Sequence, residues 1–245
     1  MTNLLILPAS IAAAFLVFAS SPASAQNSKA KHTRDIQARY GECVVERHTS
    51  SARRLVLDPA LEGAAWRRTI PNVANGDCLV DVTKSITWVE LTFPHDTLRY
   101  LLAEALVRRE LWSEPVRSFA RDAPLAQPKF NEADYLPKQG QKLSKYQLQD
   151  MKEGLVKKRA RVFLSEFGEC VVRQNPERSF LLLKARPATS NEEGAFKALA
   201  PQLSNCLPAG QQLAVGKVAI RGTIAMNYYR LAQAPRLATP AEASK

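Results

Sequence analysis

The hexapeptide Tyr-Gly-Glu-Cys-Val-Val at residues 40–45 recurs as Phe-Gly-Glu-Cys-Val-Val at residues 167–172. Each copy is followed by one Cys-Leu pair, at residues 78–79 and 206–207. The intervals from first to second cysteine are therefore 35 and 36 residues. We interpret the chain as a tandem duplication in which each copy carries its own pair of cysteines.

The cysteines are predicted to form two structural disulfides. Four cysteines allow three pairings, and the repeat selects Cys43 with Cys78 and Cys170 with Cys206. Closing a loop of this length contributes about 4 kcal/mol in the chain-entropy model, beside a total domain stability of about 5–15 kcal/mol. The spacing lacks the two-residue clips of zinc sites and the close pair of a redox motif. We therefore expect no metal, no cofactor and no catalytic cysteine.

The first 25 residues have the layout of a secretory signal peptide. An apolar run at residues 4–18 precedes the triplet Ala-Ser-Ala at residues 23–25, which predicts cleavage before Gln26 and a periplasmic or secreted protein. The alternative is an uncleaved membrane anchor, but the run is short for a span of about 20 residues, and Pro8 interrupts it. All charged residues follow residue 25, so the net charge of +11 belongs to the exported part.

The spacing of apolar residues predicts helices in both copies. Apolar side chains recur every three or four residues around each first cysteine. Residues 91–111 align without a gap to residues 213–233 and are predicted to form the closing helix of each copy. We therefore expect a mainly α fold made of two tandem disulfide-closed helical modules of about four helices each, at residues 32–111 and 160–233.

Helix starts are predicted where a capping side chain precedes an apolar run. Two Ser-x-x-Glu/Gln sequences fit a capping box, one Asn-Pro pair fits an N-cap followed by Pro at the first helical position, and one Asp fits a single cap. These are Ser144 with Gln147, Ser190 with Glu193, Asn175 with Pro176, and Asp96.

The remaining segments are predicted to connect or end the modules. Residues 112–159 form a Pro-containing linker and then a basic helix, which a break or kink at Gly154 could interrupt before copy two. Residues 86–93, rich in β-branched and aromatic side chains, and the weaker counterpart 212–215 leave a short two-stranded β element open as an addition. Residues 234–245 are predicted to be a disordered tail.

Copy two carries a resemblance to known proteins. Its pattern runs from aromatic-x-x-Cys-Val-Val through Pro-Glu-Arg and Ala-Leu-Ala-Pro-x-Leu-x-x-Cys-Leu to a closing Arg-x-x-x-Ala helix. This pattern resembles a group of exported alphaproteobacterial proteins of unknown function. The likeness covers residues 167–231 well and residues 40–111 only through the cysteines, the hexapeptide and the last helix. It implies a location in the cell envelope and transfers no catalytic residue.

Side chains that could carry acid–base chemistry are few. No nucleophile elbow, phosphate-binding loop, dinucleotide-binding turn or zinc-binding helix motif occurs in the sequence. His95 beside Asp96 and His48 beside Glu46 are candidate acid–base pairs. An enzyme interpretation would place a hydrolase site between the two modules.

Matched charges recur in the two copies. Glu42 and Glu169 stand beside the first cysteines, and Arg99 and Arg221 stand near the start of the closing helices. We predict an internal ion pair in each copy that ties the first helix to the last. The alternative interpretation is a ligand-binding acid and base.

The segment from residue 138 to residue 161 concentrates positive charge and is the candidate anion-binding region. Its basic residues are Lys138, Lys142, Lys145, Lys152, Lys157, Lys158, Arg159 and Arg161. Such density attracts anions, so we expect a non-enzymatic binding or scaffolding protein whose partner is an anionic envelope component or an acidic protein. The exported location disfavours nucleic acid. The plainer alternative is a solvated helix face that keeps the protein soluble.

Overall fold

The computed structural model describes residues 23–61, 63–70, 73, 76–83, 95–137, 142–210 and 215–238. In these residues the chain forms nine α-helices and no strand, which confirms the mainly α prediction. The helices are α1 (Ala23–Arg47), α2 (Thr49–Leu57), α3 (Gly63–Thr69), α4 (Gly76–Thr83), α5 (His95–Leu106), α6 (Lys145–Gln174), α7 (Pro176–Lys184), α8 (Ser190–Asn205) and α9 (Lys217–Ala238). The prediction of a disordered tail from residue 234 is wrong for residues 234–238, which continue helix α9, and the rest of that tail lies outside the described residues. The proposed β pieces also lie outside them, except residue 215, which is not in a strand.

Two short helical elements complete the described secondary structure. A π-helical turn, Val107–Leu111, continues α5 to the end of copy one, and a 3-10 helix, Glu132–Tyr135, precedes α6. Helix α6 passes without interruption from the basic segment into copy two, so the break considered at Gly154 does not occur.

Both predicted disulfides are present, and each closes one copy. Cys43 on α1 is bonded to Cys78 on α4 with the Cα atoms 5.7 Å apart, and Cys170 on α6 is bonded to Cys206 at the end of α8 with the Cα atoms 5.8 Å apart. The second helices also match: α2 and α7 each have nine residues and stand at the same distance from their hexapeptides. The duplication in the sequence is therefore a duplication of structure.

The repeated hexapeptide is the place where the first helix of each copy meets the last. Its glycine allows the close approach, because a Cβ atom at Gly41 would lie 2.9 Å from the carbonyl oxygen of Leu101 on α5. At Gly168 a Cβ atom would lie 2.6 Å from Nδ2 of Asn227 and 2.7 Å from Oγ1 of Thr223 on α9. Leu101 and Thr223 are equivalent positions in the two copies, so the same helix contact is made twice.

The ion pair at the first hexapeptide joins the first helix to the last, but through a different arginine from the one expected. Glu42 accepts a 2.6 Å hydrogen bond from Arg108 in the π-helical turn. Arg99 instead donates to the backbone carbonyl of Leu61 and lies over the ring of Trp66 at 4.8 Å.

The closing helices α5 and α9 also pack against each other and join the two copies. Gly222 faces Tyr100, its own equivalent in copy one, and a Cβ atom at residue 222 would overlap Cβ and Cγ of that tyrosine. The two copies therefore meet about an approximate twofold relation, with equivalent positions in contact. Buried side chains from both copies form one continuous cluster across this contact.

A buried charge network crosses the same boundary. Arg221 on α9 is fully buried and donates to Glu104 of α5 at 2.7 Å, to Glu192 of α8 at 3.3 Å and to the backbone carbonyl of Leu182 at 2.7 Å. Glu192 is also held by both terminal nitrogens of Arg34 on α1, at 2.7 and 2.8 Å. Two acids and two arginines, one of each from either copy, therefore neutralise one another inside the protein.

Arginines also hold down the first half of the segment between the copies. We call residues 115–128 the strap. It is irregular as expected, but Phe119 is buried, and Arg173 of α6 donates to the carbonyls of Phe119 and Asp122 at 2.5 and 3.0 Å. Glu169 of the second hexapeptide accepts from the backbone nitrogen of Leu125 at 3.0 Å and from Arg173 at 2.8 Å. The strap is thus a packed part of copy two.

Two of the predicted helix starts are confirmed and two differ. The box of Ser144 with Gln147 and the Asn175 cap before Pro176 are both formed. Helix α8 is capped by Thr189, one residue before the predicted Ser190, because the Thr189 hydroxyl accepts from the backbone nitrogen of Glu192. Asp96 lies inside the first turn of α5, and Arg161 lies 3.3 Å from it.

Replacing Gly222 by alanine should destabilise the protein by about 3 kcal/mol, because the new methyl group can be accommodated only if α5 and α9 separate. Gly154→Ala is the matched control, since nothing lies within 4 Å of a Cβ atom there. Alanine at this half-buried helical position, where the methyl group meets no neighbour, should stabilise by about 1 kcal/mol. Urea unfolding followed by circular dichroism measures both changes. Equal effects of the two substitutions would contradict this packing.

The stability should also depend on the ionisation of Glu192. Burial by itself raises the pKa of Glu192, but hydrogen bonds from Arg34 and the Ala188 backbone, with the charges of Arg34 and Arg221, outweigh burial and leave the pKa below its ordinary value. Because the pKa is lower in the folded than in the unfolded chain, the ionised carboxylate stabilises the fold above about pH 4.3. That stability is lost as the pH falls through the folded pKa.

Glu192→Gln should therefore lower the free energy of unfolding at pH 7 by about 3–5 kcal/mol, because it leaves the arginines without their shared acid. It should also flatten the fall of stability below pH 4.3. The neighbouring Glu193→Gln is the control, since Glu193 pairs with Lys217 at the surface, where such pairs contribute about 0–1 kcal/mol. Urea unfolding between pH 3 and pH 7 checks both, and an unchanged acid dependence in Glu192→Gln would refute the network.

Candidate functional site

The N-terminal half of α6 extends away from the core. We call residues 142–160 the basic arm. From residue 145 to residue 163 no side chain of α6 is buried, and the first buried one is Leu164. Residues 161–163 are half-buried, and Phe163 packs against the core. The outlying stretch, residues 145–160, is therefore about 24 Å long at 1.5 Å per residue. The 3-10 helix Glu132–Tyr135 packs on one side of this stretch.

The predicted anion-binding residues are distributed unequally along this helix. Those on the arm with exposed side chains are Lys142, Lys145, Lys152, Lys157 and Arg159, whereas Lys158 is half-buried. Lys138 lies outside the described residues. Arg161 turns inward, where it lies 3.3 Å from Asp96 and donates to the Pro59 carbonyl, so it joins α6 to copy one.

One face of the arm carries a line of positive charge. Lys145, Lys152 and Arg159 follow one another at seven-residue intervals, close to two helical turns, and therefore share a face. Arg159 pairs with Glu132, whereas no ion pair holds Lys145 or Lys152 within the described part of the chain. Val156 lies on the same face and is 66% exposed. The arm thus offers separated cations and an apolar side chain on one exposed line.

The acidic residues of the arm lie mostly away from this line. The arm holds six basic and two acidic residues, and the acids are Asp150 and Glu153. Glu153 is within 3.8 Å of Lys157 and accepts from Gln149, on the side that also carries Tyr146. Tyr146 is 84% exposed. Positive charge therefore dominates the arm without being cancelled by its own acids.

A pocket of about 410 Å³ lies between the copies, where the enzyme hypothesis would place its site. Its lining comes from α1 and from the turn between α7 and α8, and consists of Lys31, His32, Asp35, Arg186, Pro187 and Thr189. The acid among these lining residues, Asp35, accepts a 2.5 Å hydrogen bond from Arg186, which holds the pKa of Asp35 below its ordinary value. The carboxylate is therefore already paired. The Thr189 hydroxyl donates to the Arg186 carbonyl and caps α8. The pocket is a basic recess with its acid and its hydroxyl already in use.

The side chains proposed for acid–base chemistry are not brought together. Glu42 and Glu169 are both in ion pairs within their own copies. His48 is the N-cap residue of α2, and the neighbouring Glu46 is exposed. The side chain of His95 lies outside the described residues. In the part of the chain that is described, no group of three or more His, Cys, Asp or Glu residues is arranged to hold a metal ion.

The described helices also bear on membrane insertion. None of those between residues 23 and 238, with the gaps stated above, combines the length and apolar character needed to cross a membrane.

Comparison with protein-family models, with curated proteins and with solved structures finds no match to this chain. The interpretation of its function therefore depends on its own geometry and charge.

Proposed function

We propose that this protein is a non-enzymatic binding component of the cell envelope, attached by its basic arm to an anionic lipid surface. The observation that carries the proposal is the departure of α6 from the core: half of a 30-residue helix is solvated and presents lysines on one face. A helix that only stabilised copy two would need no such extension. The two disulfide-closed copies form the body that the arm would hold at the surface.

An envelope location is supported by two features of different kinds. Both disulfides fit an oxidising, non-cytoplasmic compartment. The apolar run at residues 4–18 has the layout of an export signal. Together they support a periplasmic or secreted protein. In the cell envelope, phosphate-bearing lipid headgroups are the abundant anionic surface.

The expected attraction is moderate and sensitive to salt. A Lys or Arg close to an anionic bilayer contributes about 1 kcal/mol, and the effect falls off within a Debye length. Lys142, Lys145 and Lys152 therefore give a reversible attachment. Val156 is exposed on the face of the lysines, and Tyr146 is exposed on the adjacent face. They are the apolar and amphipathic side chains that favour insertion of a helix at the bilayer interface.

A lipid surface fits the arm better than an acidic protein. Stable protein interfaces bury at least about 1,000 Å² with a dry core of packed side chains, whereas the exposed apolar side chains of the arm stand singly. A bilayer requires only a line of cations and scattered apolar groups. No described arrangement favours the hydrolase interpretation, because the acids that it would use are held in ion pairs.

The arm variant Lys142→Gln, Lys145→Gln, Lys152→Gln tests the proposal against a control that removes the same charge elsewhere. The control is Arg121→Gln, Lys129→Gln, Lys197→Gln, three exposed residues outside the arm. Sedimentation with phosphatidylglycerol-containing vesicles at low salt should show binding by the normal protein and by the control. The arm variant should bind about tenfold or more weakly, since three attractions of about 1 kcal/mol are lost.

Two further conditions make the test decisive. Binding should fall steeply at high salt and should be absent with phosphatidylcholine vesicles. Equal loss in the arm variant and the control would show that only net charge matters and would overturn the role of the arm. Absence of vesicle binding by the normal protein would remove the lipid proposal altogether.

A further inference from the structure

Two Arg-Arg pairs lie on neighbouring helices of copy one, Arg53–Arg54 on α2 and Arg67–Arg68 on α3. The first arginine of the α2 pair is committed, because Arg53 donates to Glu110 at 2.9 Å. The second arginine of each pair points into a shared recess. Arg54 and Arg68 both line one recess between α2 and α3.

The recess has the composition of an anion site. It has a volume of about 310 Å³, and its lining consists of Ser51, Arg54, Ala65, Arg68 and Thr69. Ser51 stands one helical turn before Arg54, and Ala65 and Thr69 lie on the α3 side. Among the residues that the structure describes, no acidic side chain lines the recess. Two guanidinium groups and two hydroxyl groups thus surround a space that an anion could enter.

The polar groups of the recess are largely uncommitted. Within the described part of the chain, neither Arg54 nor Arg68 makes a hydrogen bond or an ion pair, and the Ser51 hydroxyl has no partner. Only the Thr69 hydroxyl is used, since it donates to the Ala65 carbonyl at 3.0 Å. Two like charges that share a recess repel each other, and a bound anion would turn that repulsion into attraction. Most other arginines of this protein, by contrast, are tied to carboxylates or carbonyls.

The second copy supplies an internal comparison. Helices α2 and α7 are equivalent, and the buried pair Leu55 and Val56 has the equally buried counterparts Leu182 and Leu183. At the position of Arg54, copy two has the exposed Leu181, which is 59% exposed. The positions that build the fold are therefore alike in the two copies, whereas the recess arginine is particular to copy one. The fold does not require a cation at this position.

We infer that the recess lined by Arg54 and Arg68 is a binding site for a phosphate group. The planar guanidinium group matches the oxygens of phosphate with paired hydrogen bonds. A phosphate monoester carries a charge of about −1.5 to −2 near pH 7, which two arginines balance, and the Ser51 hydroxyl can donate a further hydrogen bond. The volume exceeds that of a phosphate ion, so part of the molecule bearing the phosphate also fits.

Calorimetric titration with inorganic phosphate and with glycerol 3-phosphate, at constant ionic strength, tests the site. Arg54→Leu introduces the residue type that copy two carries there, and Arg68→Gln removes the second cation. Each should weaken phosphate binding about tenfold or more, as expected for a lost charged hydrogen-bond pair. Arg67→Gln, beside the recess on the same helix, should change the affinity by less than about twofold. Unfolding curves of the variants establish that they remain folded.

Vesicles distinguish the source of the phosphate group. If the normal protein binds the exposed phosphomonoester of phosphatidic acid vesicles with the same variant pattern but ignores the small phosphates, the ligand is a lipid headgroup and the inference stands. The inference is overturned if neither probe binds, if acetate binds as tightly as phosphate, or if Arg54→Leu and Arg68→Gln behave like Arg67→Gln. The arm variant should keep its phosphate binding, so this site and the proposed membrane attachment can fail separately.

Discussion

The contact between Tyr100 and Gly222 fixes the arrangement of the whole molecule. These equivalent residues of the two copies meet where α5 crosses α9, and the absence of a side chain at Gly222 lets the aromatic ring lie against the backbone. Within each copy, Gly41 or Gly168 allows the first helix to approach the last in the same way. Three glycines thus set the helix spacings on which the shared core depends, and the disulfides close the outer ends of the two copies. Close packing at such points cannot be relaxed without moving whole helices.

The same boundary determines where charge is placed. Arg221 is buried between the copies and is neutralised by Glu104 and Glu192, so its charge does not contribute to the surface. Arg173 and Arg161 likewise hold the strap and copy one against α6. The basic character of the protein therefore comes partly from arginines that build the fold and partly from exposed lysines and arginines. Among these exposed groups are the lysines of the arm and the arginines of the copy-one recess, and within the described residues no ion pair holds Lys145, Lys152, Arg54 or Arg68.

Much of this architecture could be predicted from the sequence because the duplication presents the same hexapeptide and the same cysteine spacing twice. The hexapeptide and the cysteine spacing identified both disulfides, and the periodicity identified the helical fold. Tertiary partners could not be predicted in this way. The carboxylate of Glu42 reaches Arg108 because the π-helical turn places that arginine opposite it, and the partners of Arg221 come from helices far apart in sequence. The arm was identified as basic, but its departure from the core depends on where burial begins along α6. The recess arginines were missed, although two Arg-Arg pairs fourteen residues apart were a visible signal.

The two disulfide-closed copies share one core across α5 and α9. Native-state hydrogen exchange at increasing denaturant concentration can show whether this core opens as one unit, because it reports the free energy of opening at each amide. The most protected amides of α5 and α9 should exchange with the same free energy and the same denaturant dependence, as expected for one cooperative unit. If one copy opened at a free energy lower by more than about 2 kcal/mol while the other stayed protected, the copies would be separate domains and the claim would be contradicted.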